Sequence, residues 1–299
     1  MNTILDLWAA YGSTVVFAMV NAFFALSTYA VLSVGVLSFS TVVFAAIGGF
    51  LAAQMVAHFQ TPLYVAFPLA AIAGGLAAAL LAAVFLKLES HWMALASLAL
   101  VLITKVVALN APLLTGGVNG LIVPAKVSPL ELLLLLALVT LIFYRLYHSW
   151  FGLISLAVRE DPAVASTMGI SPRQVQFIAF IVSGVVGGVG GAALAFTLQF
   201  ISPETYFISI AFSMIASTVL GGSFHWLGPI AGALVFTALP TTVQAFVPQI
   251  EDVAKGLVLL LIMVFLPRGL IDPRAIRLRQ ANRDKQKKHL SDAPKDAVA

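Results

Sequence analysis

The run of residues best suited to a chemical task is Arg159-Glu160-Asp161-Pro162, followed by Ala163 to Met168 and then Gly169. A short carboxylate directly before proline reads as a helix start. Asp161 can accept bonds from the first unpaired amides, and Pro162 suits the first helical position. Ala163, Val164, Ala165 and Met168 extend this into a short helix, and Gly169 is a natural stop just past its end. The chemistry of such an element is docking. Arg159, Glu160 and Asp161 charge its beginning, and small or flexible apolar residues such as Ala165 and Met168 are the kind that seat a helix in a groove on another protein. The plainer alternative is a well-capped connecting helix.

Catalytic patterns are missing. The chain has no Cys, which removes disulfides, thiolate metal sites and cysteine nucleophiles. It has no Gly-x-x-x-x-Gly-Lys-Ser/Thr loop to cradle phosphates, no His-Glu-x-x-His and no Gly-x-Ser-x-Gly. No catalytic, cofactor-binding or metal-ligating residue is expected, and the chain does not read as an enzyme. Gly188-x-Gly190-x-x-Ala193 matches a dinucleotide fingerprint by letter. It lies inside a long apolar segment, however, with no strand before it and no acidic residue at the distance that holds a ribose. The spacing that matters there is four: Gly184 with Gly188, and Gly187 with Gly191, as in glycine-mediated helix packing within membranes. His58, His91, His148 and His225 fall near segment ends, where an amphipathic ring commonly sits at an interface. Lys105 is the one charge well inside an apolar segment. It is either a functional intramembrane charge or a lysine reaching outward past Asn110.

The elements that position these residues follow from hydropathy. Between Asp6 and Lys87 the chain runs roughly 80 residues without Asp, Glu, Lys or Arg, about four times the ~20 apolar residues of one membrane helix. Charged residues are 9% of the whole, which is far too few to cover a soluble surface of this size. Apolar segments lie near 14–34, 38–58, 63–86, 92–110, 132–148, 174–200, 206–222, 229–247 and 253–267. Hydrocarbon offers no partner for open backbone groups, so these read as helices, and the lack of alternation in Leu132–Leu138 argues against a barrel. The expected fold class is all-α: a polytopic integral membrane protein of about 8–10 spanning helices. Gly221-Gly222 and Gly228-Pro229 mark a tight turn, with room for a broken helix of the transporter kind. No cleavable leader is expected at the N-terminus.

Orientation rests on the basic residues. Arg268, Arg274, Arg277, Arg279, Arg283, Lys285, Lys287, Lys288 and Lys295 crowd the end of the chain, more than half of its 16 Lys and Arg. Cationic segments stay inside, so the C-terminus is expected to be cytoplasmic, as are Lys87–His91 and the stretch from Arg145 to Arg173. Residues 111–131 and the turn at Ser202–Glu204 then face out. The tail reads as a topology anchor against the lipid bilayer rather than a nucleic-acid arm.

These residues together resemble the permease subunits of bacterial ABC importers for branched-chain amino acids, the Liv group, and the M-type subunit more than the H-type. The likeness covers about Ala22 to Asp272. Arg159-Glu160-Asp161, Ala165 and Met168-Gly169-Ile170 look like the family's cytoplasmic coupling segment, which docks the ATPase. Leu114-Thr115-Gly116-Gly117-Val118-Asn119-Gly120-Leu121 is similar to an M-type segment. Ser202-Pro203-Glu204, Val219-Leu220-Gly221-Gly222, Gly228-Pro229 and Gly232-Ala233 resemble the C-terminal half, and Pro267-Arg268-Gly269-Leu270 the closing motif. The family often reads Leu-Ser-Leu-Gly-His-Ala-Ala-Phe after its second span. Here Leu37-Ser38-Phe39-Ser40-Thr41-Val42-Val43-Phe44 replaces the Gly-His pair with Ser40-Thr41, which loosens any assignment of leucine, isoleucine or valine as cargo.

The resemblance implies a permease domain over 1–272, including a coupling loop at 149–173, and a basic tail at 273–299 that composition marks as disordered. It implies a multi-pass protein of the bacterial inner membrane that imports branched-chain amino acids or related small polar solutes such as amides or urea. The implied partners are a second homologous permease subunit, forming a heterodimer, two ATPase subunits and a periplasmic substrate-binding protein. The competing reading is a stand-alone, ion-coupled secondary transporter of small solutes, which calls for intramembrane carboxylates.

Overall fold

The computed structural model describes residues 2–88 and 90–244, with side-chain surroundings for 11–88 and 92–238. The expected span at 253–267, the closing motif and the basic tail lie outside the described residues. Among the described residues eleven α-helices follow one another, the fifth (α5, Pro112–Thr115) a single turn, with one two-stranded ribbon. The six long apolar ones are α1 (Asn2–Leu32), α2 (Thr41–Phe59), α3 (Leu63–Phe85), α4 (Ser90–Leu109), α6 (Pro129–Tyr147) and α9 (Pro172–Leu198). Among the described residues these six are long and apolar enough to cross a membrane. Two shorter apolar helices, α10 (Ile208–Gly221) and α11 (Gly228–Gln244), pack beside them. The architecture is the expected all-α polytopic one.

The bundle is organised around α9, which packs against α1, α2 and α3. In its apolar window 72% of residues are buried, against 17% for α6 at the periphery. Small residues make this possible. A methyl group added at Gly188 would run into the Ala70 carbonyl, at Gly184 into Ala78 and the Gly74 carbonyl, and at Gly191 into the Ala45 carbonyl. The partner helices carry matching glycines: Gly48 on α2 meets Gly188, and Gly74 on α3 meets both Gly184 and Gly188. Gly187 allows a looser approach, its would-be methyl 3.0 Å from Ser27 Oγ and 3.3 Å from Phe44 Cβ. Lipid tails are as apolar as Leu side chains, so helices gain little by hiding greasy surface from them. Close backbone packing and bonds between helices must hold the bundle instead. The buried hydroxyls supply those bonds: Ser27 donates to the Ser183 carbonyl at 2.8 Å, and Thr218 to the Ala25 carbonyl at 3.1 Å.

The two ends of α9 define two ends of the molecule. At its C-terminal end, β1 (Leu121–Ile122) pairs antiparallel with β2 (Phe200–Ile201), Leu121 opposite Ile201. The glycine-rich approach to β1 needs its glycines, because Gly116, Gly117 and Gly120 all have positive φ. Gln54 braces the same end by donating to the Leu113 and Leu114 carbonyls at 3.0 and 2.9 Å. At the N-terminal end of α9 lie α7 (Trp150–Glu160) and α8 (Pro162–Thr167), together with Lys87, Arg145, Arg159 and Arg173.

One prediction follows from the spine of the bundle. Gly188→Leu forces a branched side chain into the Ala70 backbone and should destabilise the fold by about 3 kcal/mol or more. Loss of a monodisperse peak in detergent gel filtration is the expected readout. A normal yield and normal peak would mean that α9 does not touch α3 at backbone distance.

Candidate docking helix and its anchorage

α8 is built as its sequence dictates. Asp161 is extended (φ −154°, ψ 106°), and its Oδ1 accepts from the Ala163 and Val164 amides at 2.8 and 3.1 Å. Pro162 occupies the first position, where its missing N–H costs nothing. The Ile170 amide reaches back to the Ala165 carbonyl at 3.1 Å, and Gly169 sits at φ +81° with open space around it. Only glycine takes that left-handed turn without strain.

The six residues singled out by sequence all gather at this end of the bundle, but they face different ways. Glu160 and Asp161 are exposed, as are Gly169 and the Met168 side chain at 74%. Ala165, by contrast, is 2% exposed and sits in a core cluster with Val158, Val175 and Ala179. Of the pair Ala165 and Met168, then, only Met168 can meet a partner without moving the chain. Val164, 55% exposed, offers a second apolar contact. Ala165 instead holds α8 on α7 and α9.

Arg159 also turns inward. Its guanidinium donates to the Ser223 carbonyl and, at 2.8 Å, to Ser223 Oγ, and it stacks 4.1 Å above the Phe224 ring. Burial lowers its pKa from the ordinary value, while nearby Tyr29 and Glu160 act in the opposite direction. The guanidinium remains charged at any working pH. A cation that is half withdrawn from water and bonded across the chain is a rigid tie, worth more than an exposed ion pair. Gly35, at φ +78°, lies against the Arg159 backbone, where an added methyl would stand 3.3 Å from Arg159 Cα. Arg159 therefore joins the base of α8 to two breaks between membrane helices: the α1–α2 segment at 33–40 and the α10–α11 turn at 222–227.

Further contacts fasten the same turn. Trp226 packs edge-on to Tyr144 with ring centroids 5.5 Å apart, and His225 lies 5.3 Å from Tyr147. Burial lowers the pKa of His225, and His148 lowers it further, so the neutral ring is favoured. Behind α7 is a cavity of about 40 Å³ bounded by Tyr29, Ser33, Tyr147, Ser155, Arg159 and Ser223. Ser155 Oγ is buried there without a protein partner among the described residues.

Other marked residues serve structure. Ser40 and Thr41, which stand where the Liv group often has Gly-His, are at most 1% exposed. Ser40 Oγ bonds Ser38 Oγ at 2.8 Å, and Thr41 donates to Met214 Sδ at 3.7 Å, so both side chains face this chain's own interior. Lys105 pairs with Glu204 at 2.7 Å and lies 3.8 Å over the Phe207 ring, at the β1–β2 end. The lysine reaches outward along its helix to find that partner. No group of three or more His, Asp or Glu capable of holding a metal ion occurs among the described residues.

Sequence reasoning missed Gly35, Ser223 and Phe224 as parts of this anchorage. A signal was present. Gly221-Gly222 announces a turn, and Ser223-Phe224-His225-Trp226 fills it with hydroxyl and aromatic groups.

The profile of the family described as "Branched-chain amino acid transport system / permease component" matches residues 11–266. The high-affinity branched-chain amino acid transport system permease protein LivM of Escherichia coli is 24% identical over 274 residues, covering 80% of this chain and 64% of that protein. The probable branched-chain amino acid transport permease protein LivH of Methanocaldococcus jannaschii is 34% identical over 94 residues, 31% of this chain and 29% of that one. The guanosine ABC transporter permease protein NupQ of Bacillus subtilis is 32% identical over 104 residues, 35% of this chain and 32% of that one. This chain thus spans less than two thirds of the length of the first of these relatives. No solved structure matches.

The anchorage generates a second prediction. Arg159→Ala should leave the bundle folded but loosen α8, seen as faster backbone hydrogen exchange over 160–170, by about 1 to 2 kcal/mol in local opening energy. Unchanged exchange in that segment would show that Ser223 and Phe224 do not hold it. A third concerns the stop. Since nothing crowds Gly169, Gly169→Val should cost only its left-handed backbone strain, about 1 to 2 kcal/mol, and the protein should still purify as a folded species.

Proposed function

This chain belongs to the branched-chain amino acid transport permease family of ABC transporters, and we propose that it is one membrane subunit of an importer for small polar solutes, branched-chain amino acids first among them. The family places it in the inner membrane as a multi-pass protein. In the proposed assembly a second, homologous permease completes the translocation path. Two ATPase subunits act on the end that carries α8, and a periplasmic binding protein delivers cargo to the β1–β2 end. That orientation puts Lys87, Arg145, Arg159 and Arg173 in the cytoplasm, as cationic segments prefer.

The observation that carries the reading is α8 with its two ends: Glu160 and Asp161 exposed just before it, Val164 exposed within it and Met168 exposed just after it, the whole tied at its base by Arg159 to two breaks between membrane helices. A push delivered at Met168 reaches Arg159 through a short, capped and therefore stiff element. From there it can bias the 33–40 and 222–227 segments between two discrete arrangements. Hydrolysis is assigned to the partner subunits because the chain has no phosphate loop.

Cargo is the least constrained part. Relatives are named for branched-chain amino acids, for guanosine and nucleosides, and for glucose. Amides and urea remain within the same class of small polar solutes. A stand-alone ion-coupled carrier is disfavoured because, among the residues whose side chains are described, the carboxylates Glu131, Glu160, Asp161 and Glu204 sit at helix ends or in connecting segments.

The test is uptake into liposomes holding both permeases, both ATPases and the cognate binding protein, screened across amino acids, amides, urea, nucleosides and sugars. Uptake that needs ATP, and that falls at least about tenfold when Glu160 and Asp161 are both changed to Lys while membrane abundance holds, is the expected result; repulsion of this kind costs several kcal/mol at an interface. ATP-independent uptake by this chain alone would support the secondary-transporter reading instead.

A further inference from the structure

A groove of about 510 Å³ opens where the end of α3 meets the start of α9. Ala82, Ala83 and Leu86 form one wall, and Phe177 and Ile178 the other. Its polar residues are Lys87, Arg173 and Gln174, all of them exposed. Among the described residues neither Lys87 nor Arg173 forms an ion pair. The N-terminus of α9 lies at the same place, 27 residues of helix whose Ser171 side chain makes no capping bond, and it adds a partial positive charge.

We propose that this groove binds one anionic phospholipid. The acyl chain lies along Ala82, Ala83, Phe177 and Ile178, and the phosphodiester sits on Lys87 and Arg173, with the Gln174 amide donating a further bond. The chemistry of the groove excludes simpler occupants. A soluble anion satisfies the cations and leaves the apolar walls uncovered. A zwitterionic lipid fills the walls but brings its own cation to a site that already holds two. A lipid with net negative charge matches both parts, and basic pockets between membrane helices on the cytoplasmic side recognise such headgroups. The groove opens just after the turn that ends α8, so the bound lipid would brace the start of α9 beside the docking helix.

The test uses the full chain purified in detergent and equilibrated with equimolar phosphatidylglycerol and phosphatidylcholine of matched chains, with retained lipid counted by native mass spectrometry. The wild type should retain phosphatidylglycerol with a preference of about 30-fold, the value expected for two basic residues at the surface. K87Q/R173Q should bring the preference to near even with an unchanged helical spectrum. Should that double variant fail to purify, K87Q and R173Q singly should each lower the preference about fivefold. Ala83→Trp, which fills the wall, should reduce retention of both lipids, and excess glycerol phosphate should displace neither. No preference in the wild type, a preference that survives both cation substitutions, or ready displacement by glycerol phosphate would each overturn the proposal. The last of these would mark a site for soluble anions.

Discussion

Backbone contact between α9 and its neighbours is the constraint on which the rest depends. In water, a helix with five glycines between residues 184 and 191 would be a poor helix, because each glycine gives up more chain freedom on ordering. Inside a bilayer the helix is enforced, since any unpaired backbone group there is costly. Glycine then becomes the residue that lets α2 and α3 approach closely enough for dispersion and buried hydroxyl bonds to hold the bundle. With α9 fixed by Gly48, Ala70 and Gly74, the ends of α9 are fixed too, and with them the ribbon at one end and α8 at the other.

Placing α8 on that frame explains how a short helix can matter mechanically. An isolated helix of this length would not survive in water. Here the Asp161 cap, the proline at the first position, Ala165 in the core beneath and Gly169 at the stop hold it in one shape. Its outer surface is left to the exposed side chains of Val164 and Met168. Arg159 gives that shape a purchase on the membrane domain. Interfaces and packed cores switch between discrete arrangements rather than deforming smoothly. In the proposed cycle such a switch would act at the breaks at 33–40 and 222–227, both of which touch Arg159.

Much of this was legible in the sequence, because the physics involved is local. Hydropathy located most of the described helices to within a few residues, 174–200 expected against Pro172–Leu198 found, but α1 begins at Asn2 where 14 was expected, and the 206–222 and 229–247 segments are the shorter helices α10 and α11. Capping chemistry located α8, since Asp161, Pro162 and Gly169 each act within a few residues of their own position. The four-residue glycine spacing marked α9 as a packing helix, although its partners, Gly48 and Gly74, were visible only as unremarked glycine pairs. What the sequence withheld depends on distant parts of the chain. Which side of α8 faces the bundle is decided by how α7 and α9 meet, so Ala165 and Met168 could not be told apart. Arg159 reads with Glu160 and Asp161 as the charged start of a docking helix until Ser223, 64 positions away, is brought beside it. Ser40 and Thr41 read as a departure in a functional motif, and the fold buries both.

In the proposed assembly the outer side of α8 is where the ATPase subunit seats. The chain has no cysteine, so single-cysteine variants can be read without background. Met168→Cys should form a disulfide or short-linker product with a cysteine-substituted ATPase partner in the assembled complex, and Leu113→Cys, 91% exposed at the opposite end, should not. Cross-linking of that partner from Leu113→Cys, with none from Met168→Cys or Val164→Cys, would contradict the account.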